Sequence, residues 1–226
     1  MRRATLPCLI ASLLLAGCQP TPAPAPAAAP TTTPPAATAS DAPAAPPATS
    51  AAPTQGEGPS FDCSKARGAQ EQLVCGDPEL AALDRQLAET YRQAQAKASD
   101  PALLRATQRG WVKGRDECWK AADTRGCVFE AYVRGIVDLR IQHGLVQVPA
   151  TVEYRCDDAT ARVAAVFYND PPQAMVLTVG DDQAILPIAR SGSGARYAAS
   201  GVEFWEHQGE ASIDFFGKTL RCTPAR

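Results

Sequence analysis

The hydrophobic period of this chain changes once, near residue 150, and the change calls for two kinds of structure in one polypeptide. Before it, Leu80, Leu83, Leu87 and Tyr91 recur at three- and four-residue spacing, which is one face of a helix. After it, Val163, Ala165 and Phe167 alternate with Ala164 and Val166, the pattern of a strand with one buried face. The expectation is a helical region over 61–145 followed by a β region over 150–226.

Local signals punctuate the helical region. Asp77-Pro78-Glu79 is a helix start: a capping carboxylate, proline at the first helical position, then an acid at the positive end of the helix dipole. Asp100-Pro101 repeats it, and Leu104, Trp111, Arg115 and Cys118 lie along the next helix. Val128, Tyr132, Ile136 and Leu139 mark a last helix, with Gly144 as a stop. Trp111 with Arg115 and Asp116 reads as a buried aromatic beside a structural ion pair. So few large apolar residues make a thin core, which cross-links among Cys63, Cys75, Cys118 and Cys127 would reinforce. Four cysteines allow three pairings, and spacing alone does not choose.

The β region holds short runs broken by Gly, Asp and Pro. Met175-Val176-Leu177-Thr178-Val179 ends at Gly180-Asp181-Asp182, and Ala184-Ile185-Leu186 follows. Further runs start at Ala195, Val202, Ala211 and Lys218. This predicts an antiparallel sandwich or small barrel. Cys156 and Cys222 fall in the first and last strands, so a bond between them would tie the ends together. In the chain-entropy account that closure contributes about 4 kcal/mol.

The beginning of the chain speaks of export. Arg2 and Arg3 precede an apolar run through Leu9, Leu13, Leu14 and Leu15 that is too short to span a bilayer, which takes about 20 residues. It reads as a signal peptide over 1–17. The tetrapeptide Leu15-Ala16-Gly17-Cys18 resembles the lipobox of bacterial lipoproteins, which implies lipid on Cys18; Gln19 behind it implies the outer membrane, facing the periplasm. Residues 18–60 are almost wholly Pro, Ala, Thr and Ser, with twelve prolines and only Asp41 and Glu57 charged. Such a composition cannot form a core and predicts a semi-extended tether.

Charge and motifs exclude several functions. A net charge of −2 argues against nucleic acid, which calls for a basic face. Residues 150–226 carry 7 basic and 10 acidic side chains, a balance that would steer a basic partner towards them. With only His143 and His207 and no C-x-x-C, there is little from which to build a metal or redox site, and no cofactor is expected. Position 191 is Ser where a nucleophile elbow around Ser193 would need Gly. The expectation is a binding protein without catalytic residues.

Two family resemblances sharpen this. Phe61-Asp62-Cys63-Ser64-Lys65-Ala66, Val74-Cys75, Leu80, Asp84, Gln108-Arg109-Gly110-Trp111, Arg115-Asp116-Glu117-Cys118, Cys127 and Tyr132 together resemble the LprI-type lysozyme-inhibitor domain, some members of which inhibit lysozyme. Tyr154-Arg155-Cys156, Ser193-Gly194-Ala195-Arg196-Tyr197, Phe204-Trp205, Glu210-Ala211 and Cys222 resemble the MliC family, membrane-bound inhibitors of C-type lysozyme. That resemblance implies an eight-stranded antiparallel barrel. It also implies a serine and a lysine, the latter two residues after the tryptophan, that enter the lysozyme cleft. Ser193 matches the serine, His207 stands at the lysine position, and Gln208 replaces the usual glycine.

The chemistry of such a plug is simple. Lysozyme works with two carboxyl groups, one protonated and one ionised. A serine hydroxyl offers them a donor and acceptors, and a nearby cation adds charge-assisted bonds. Glycines flanking Ser193 let the backbone approach closely. Histidine at 207 supplies charge only towards acid pH. The expected contact residues are Ser193, Gly194, Arg196, Tyr197 and His207, and the expected protein is an envelope lipoprotein that blocks a C-type lysozyme. The alternative is a non-catalytic scaffold binding peptidoglycan or another envelope protein.

Overall fold

The computed structural model describes residues 58–225. The signal sequence, Cys18 and nearly all of the tether expected above lie outside the described residues.

Four helices come first: α1 (Ala69–Gly76), α2 (Pro78–Lys97), α3 (Pro101–Asp116) and α4 (Thr124–Gln142), with short 3-10 turns at Cys63–Lys65 and Glu117–Lys120. The starts expected from sequence are built as such. Asp77 accepts from the amides of Glu79 and Leu80, and Asp100 from those of Ala102 and Leu103, each cap satisfying donors that the first turn leaves free. After α4 the chain turns at Gly144, whose φ is +57°.

The cysteine pairing that sequence left open is Cys63 with Cys75 and Cys118 with Cys127. Both loops are short, with separations of 12 and 9 residues, so each contributes about 3 kcal/mol by loop entropy. They pin the two ends of a small core made by Val74, Leu80, Leu83, Leu87, Leu104, Val128, Tyr132, Val133 and Ile136. Trp111 lies against α4 closely enough that a Cβ on Gly135 would sit 2.5 Å from its indole nitrogen. That nitrogen donates to the Ala131 carbonyl at 2.9 Å.

A polar chain runs through this core. Ser60 donates from both its amide and its hydroxyl to Asp84 Oδ2 at 2.6 Å. Tyr132 donates to Asp84 Oδ1 at 2.9 Å and accepts from Arg115 Nη1 at 3.2 Å. Arg115 is 6 % exposed and reaches Asp116 at 2.6 Å. Burial, foremost, holds the Tyr132 phenol well above its ordinary range. The ion pair beside Trp111 is thus structural, as the sequence suggested.

Eight strands follow: β1 (Val152–Cys156), β2 (Val163–Tyr168), β3 (Ala174–Val179), β4 (Asp182–Ala189), β5 (Ala195–Ala199), β6 (Val202–His207), β7 (Glu210–Phe215) and β8 (Lys218–Pro224). Each pairs antiparallel with its neighbour, and β8 returns to β1 to close a barrel. Closure removes the exposed edges that an open sheet would leave. Cys156 and Cys222 stand directly opposite each other across the closing β1–β8 ladder and are bonded. The barrel interior holds Tyr154, Val163, Ala165, Met175, Leu177, Leu186, Tyr197, Phe204, Ile213 and Leu220.

The helices and the barrel share a core. Tyr168, Ala174 and Val176, with Val166 and Ile185 at the margin, belong to the helical cluster. The outer face of β2, β3 and β4 therefore lies against the helices, and α4 rests on β4. This is why Met175-Val176-Leu177 is apolar without alternation: β3 is buried on both sides. Ser200 donates its amide to Glu130 on α4 at 3.0 Å, and Gln86 on α2 reaches the Pro171 carbonyl at 2.6 Å. Helices and barrel form one compact unit.

Candidate functional site

The meander puts the loop 190–194, between β4 and β5, at the same barrel end as the β6–β7 turn. The strands beneath fix what meets there. In the β5–β6 ladder Ala195 opposes Glu206 and Arg196 opposes Trp205. Gly194 therefore arrives beside His207. A Cβ on Gly194 would lie 2.1 Å from the Glu206 carbonyl oxygen and 3.2 Å from the His207 Cα, and its φ is +71°. Only glycine fits this approach.

The loop is held at the backbone of Ser193 by the side chains of Trp205 and Ser191. Trp205 Nε1 donates to the Ser193 carbonyl at 3.0 Å. The Ser191 hydroxyl donates to the same oxygen, and the Ser193 amide donates to Ser191 Oγ at 3.3 Å. Ser193 is exposed, and its own hydroxyl makes no hydrogen bond to another described residue. Trp205 is 37 % exposed and stacks on His207, with ring centroids 5.7 Å apart and planes 13° from parallel. The turn beyond His207 has Gln208 at φ +53° and Gly209 at φ +82°, the two left-handed residues that a type I′ hairpin requires.

The charges are distributed unevenly. Arg196 Nη2 pairs with Glu203 Oε2 at 2.5 Å. That hydrogen bond, with the attraction of the carboxylate, raises the Arg196 pKa above its ordinary value. Arg190, at the other side of the loop, is exposed and has no ion pair among the described residues. Below the site, Tyr154 donates to Glu206 Oε2 at 3.0 Å. Burial first, and Glu206 second, push the Tyr154 hydroxyl up.

Ser193, Gly194, Arg196 and His207 therefore meet on one outer surface, and Tyr197 does not join them. Tyr197 is 6 % exposed and packs inside the barrel, 5.6 Å from the Phe167 ring and 6.4 Å from that of Phe204. Strand alternation sends Arg196 outward and its neighbour Tyr197 inward, beneath that surface. Two residues at the site were missing from the expected set. Trp205 holds the loop, and Arg190 offers the free cation. The alternation around Phe204 would have placed Trp205 on the same face as Arg196.

Comparison with known proteins places these features in a family. The family described as "Membrane-bound lysozyme-inhibitor of c-type lysozyme" (MliC) matches residues 154–221, and that described as "Lysozyme inhibitor LprI" matches residues 63–147. Lipoprotein LprI of Mycobacterium bovis and of Mycobacterium tuberculosis (strain H37Rv) are each 42% identical over 171 residues, 75% of this chain and 85% of theirs. A solved structure, Pseudomonas aeruginosa MliC in complex with hen egg white lysozyme, aligns with 35% of this chain and 88% of its own at 21% identity, with a TM-score of 0.30. Helical disulfide-linked region, closed eight-stranded barrel and matched segments occur in one order along one polypeptide, and the chain belongs to the LprI lipoprotein family.

Proposed function

We propose that this protein inhibits a C-type lysozyme, and that it does so by inserting the loop 190–194 into the catalytic cleft. The two matched families, each described as a lysozyme inhibitor, support the inhibitor reading. One structural observation carries the loop reading. Ser193 presents a hydroxyl with no hydrogen-bond partner among the described residues, on a backbone already fixed by Trp205, Ser191 and the close approach of Gly194.

A loop built in this way loses little freedom on binding, and preorganisation of that kind strengthens a complex. The hydroxyl donates to the ionised carboxylate of the cleft or accepts from the protonated acid. Arg190 supplies the charge-assisted contact, and the His207 ring offers a further hydrogen-bonding group. Arg196 remains tied to Glu203 and shapes the rim.

The test uses the whole mature chain, because a barrel alone would expose Val166, Val176 and Ile185. Ser193→Ala should raise the inhibition constant against a C-type lysozyme roughly tenfold or more, the equivalent of about one charge-assisted hydrogen bond. Undiminished inhibition by the variant would remove Ser193 from the mechanism. Absence of inhibition by the unaltered chain, with sedimentation on purified peptidoglycan, would favour a wall-binding scaffold instead.

A further inference from the structure

Helix α3 stands apart from the rest of the helical region in how little of it is covered. Eleven of its sixteen residues are exposed, and only Leu104 and Arg115 are buried. In α4, by contrast, eight of nineteen residues are buried. The uncovered surface of α3 has a definite character. Between Asp100 and Asp116 the sequence holds no acid, while Arg105, Arg109 and Lys113 recur at four-residue spacing along one side. All three are exposed, and none has an ion pair among the described residues. Of the other exposed cations, Lys65, Arg92, Lys120, Arg125, Arg162 and Lys218 each face a carboxylate, while Arg67, Arg134, Arg155 and Arg190 have no ion pair among the described residues but do not form a row.

Beside this row run Ala102, Ala106, Gly110 and Gly114, also four apart and exposed. A Cβ on Gly110 or Gly114 would meet nothing within 4 Å. The helix therefore offers a cationic surface bordered by small residues, with Leu103 and Val112 as its exposed large apolar side chains.

The occupant follows from where the preceding chain leads. The helical region is joined directly to the Pro/Ala/Thr-rich stretch that ends in Cys18, the lipidation position expected from sequence. Its entry is fixed to the helices: Arg85 holds the Gly58 carbonyl, and Ser60 is bonded to Asp84, which reaches Arg115 at the end of α3 through Tyr132. The helical region is thus the part of the folded unit nearest in sequence to the bilayer. A tether also raises the local concentration of any weak membrane contact.

We propose that the outward face of α3 docks on anionic lipid headgroups through Arg105, Arg109 and Lys113, a second membrane contact in addition to the anchor. Each cation near an anionic surface strengthens binding roughly fivefold, so three together give on the order of a hundredfold, and salt screens the effect. A contact of this size is reversible by itself and persistent when tethered.

The experiment uses the mature chain with Cys18→Ser, so that no lipid is attached, and vesicles of phosphatidylcholine with or without about one-third phosphatidylglycerol. Sedimentation should show binding to the anionic vesicles only, weakening as salt rises from about 50 to 500 mM. The triple variant Arg105→Gln, Arg109→Gln, Lys113→Gln should lose binding on the order of a hundredfold with an unchanged circular-dichroism spectrum. A control that removes the same charge elsewhere, Arg155→Gln, Arg162→Gln, Arg221→Gln, should bind within about threefold of the parent. Equal losses in the two triple variants would overturn the proposal, because net charge alone would then account for them. So would indifference to lipid charge, or binding by the α3 variant as strong as the parent's.

Discussion

The indole nitrogen of Trp205 donates to the backbone carbonyl of Ser193 at 3.0 Å, so a residue in the middle of one strand sets the shape of a loop twelve residues earlier. The same ring lies flat against His207. Loop, tryptophan and histidine form one surface whose geometry is settled before any partner arrives.

Trp205→Phe keeps an aromatic ring for His207 to stack on but has no N–H. It should weaken lysozyme inhibition several-fold, with stability changed by about 1 kcal/mol, the usual net value of one hydrogen bond. The readouts are the inhibition constant and amide exchange at Ser193 and Gly194. Unchanged inhibition with faster exchange would mean that the loop's shape does not matter for binding.

Arg190 and Arg196 separate a free cation from a paired one. Arg190→Gln should weaken inhibition more than Arg196→Gln, by roughly five- to tenfold, since Arg196 already has Glu203 as a partner. Inhibition constants for the two variants at low ionic strength make the comparison. The reverse order would show that Arg196 leaves Glu203 on binding.

Tyr132 bridges two buried charged residues, Asp84 and Arg115. Tyr132→Phe removes the bridge and leaves each short of a bond, which should lower stability by about 2–4 kcal/mol. Urea denaturation followed by circular dichroism measures it. A loss below about 1 kcal/mol would mean that Ser60 and Asp116 suffice to satisfy the pair.

Acid sensitivity is expected near Asp158. The Thr160 hydroxyl, then Lys218 at 3.1 Å, then the Thr160 amide hold its carboxyl down to about 2. Because the folded value is depressed below the ordinary carboxylate value of about 3.9, the stability it confers is complete above about pH 4. It is lost as pH falls through 2. Melting temperatures of the parent and Asp158→Asn should differ by a constant amount above pH 5 and converge between 4 and 2. A gap that stays constant down to pH 2 would rule out this carboxylate as a source of acid sensitivity.

Much of this architecture is legible without coordinates. The capping residues Asp77 and Asp100 mark their helices because the signal is local, a carboxylate within two or three residues of the amides it caps. The β meander is legible for the same reason, each strand pairing with the next. What escaped notice depends on contacts distant in sequence. Val176 faces helices that precede it by more than thirty residues, and nothing beside it in sequence says what covers its outer side. The pairs Cys63–Cys75 and Cys118–Cys127 escaped for a different reason: separations of 12 and 9 residues do not by themselves exclude the other two pairings, whereas Cys156 and Cys222 stood out by their places in the first and last strands. Tyr197 is the instructive case, since its conspicuous motif drew attention to the residue while plain alternation with Arg196 already sent it inward.

The central claim is that loop 190–194 occupies the sugar-binding cleft of the target enzyme. Inhibition of a C-type lysozyme by the intact mature chain, measured across rising concentrations of an N-acetylglucosamine oligomer that fills the same cleft, tests it most directly. The account predicts mutual exclusion, with the apparent inhibition constant rising in proportion to the oligomer. An inhibition constant that stays level as the cleft fills with sugar would contradict it.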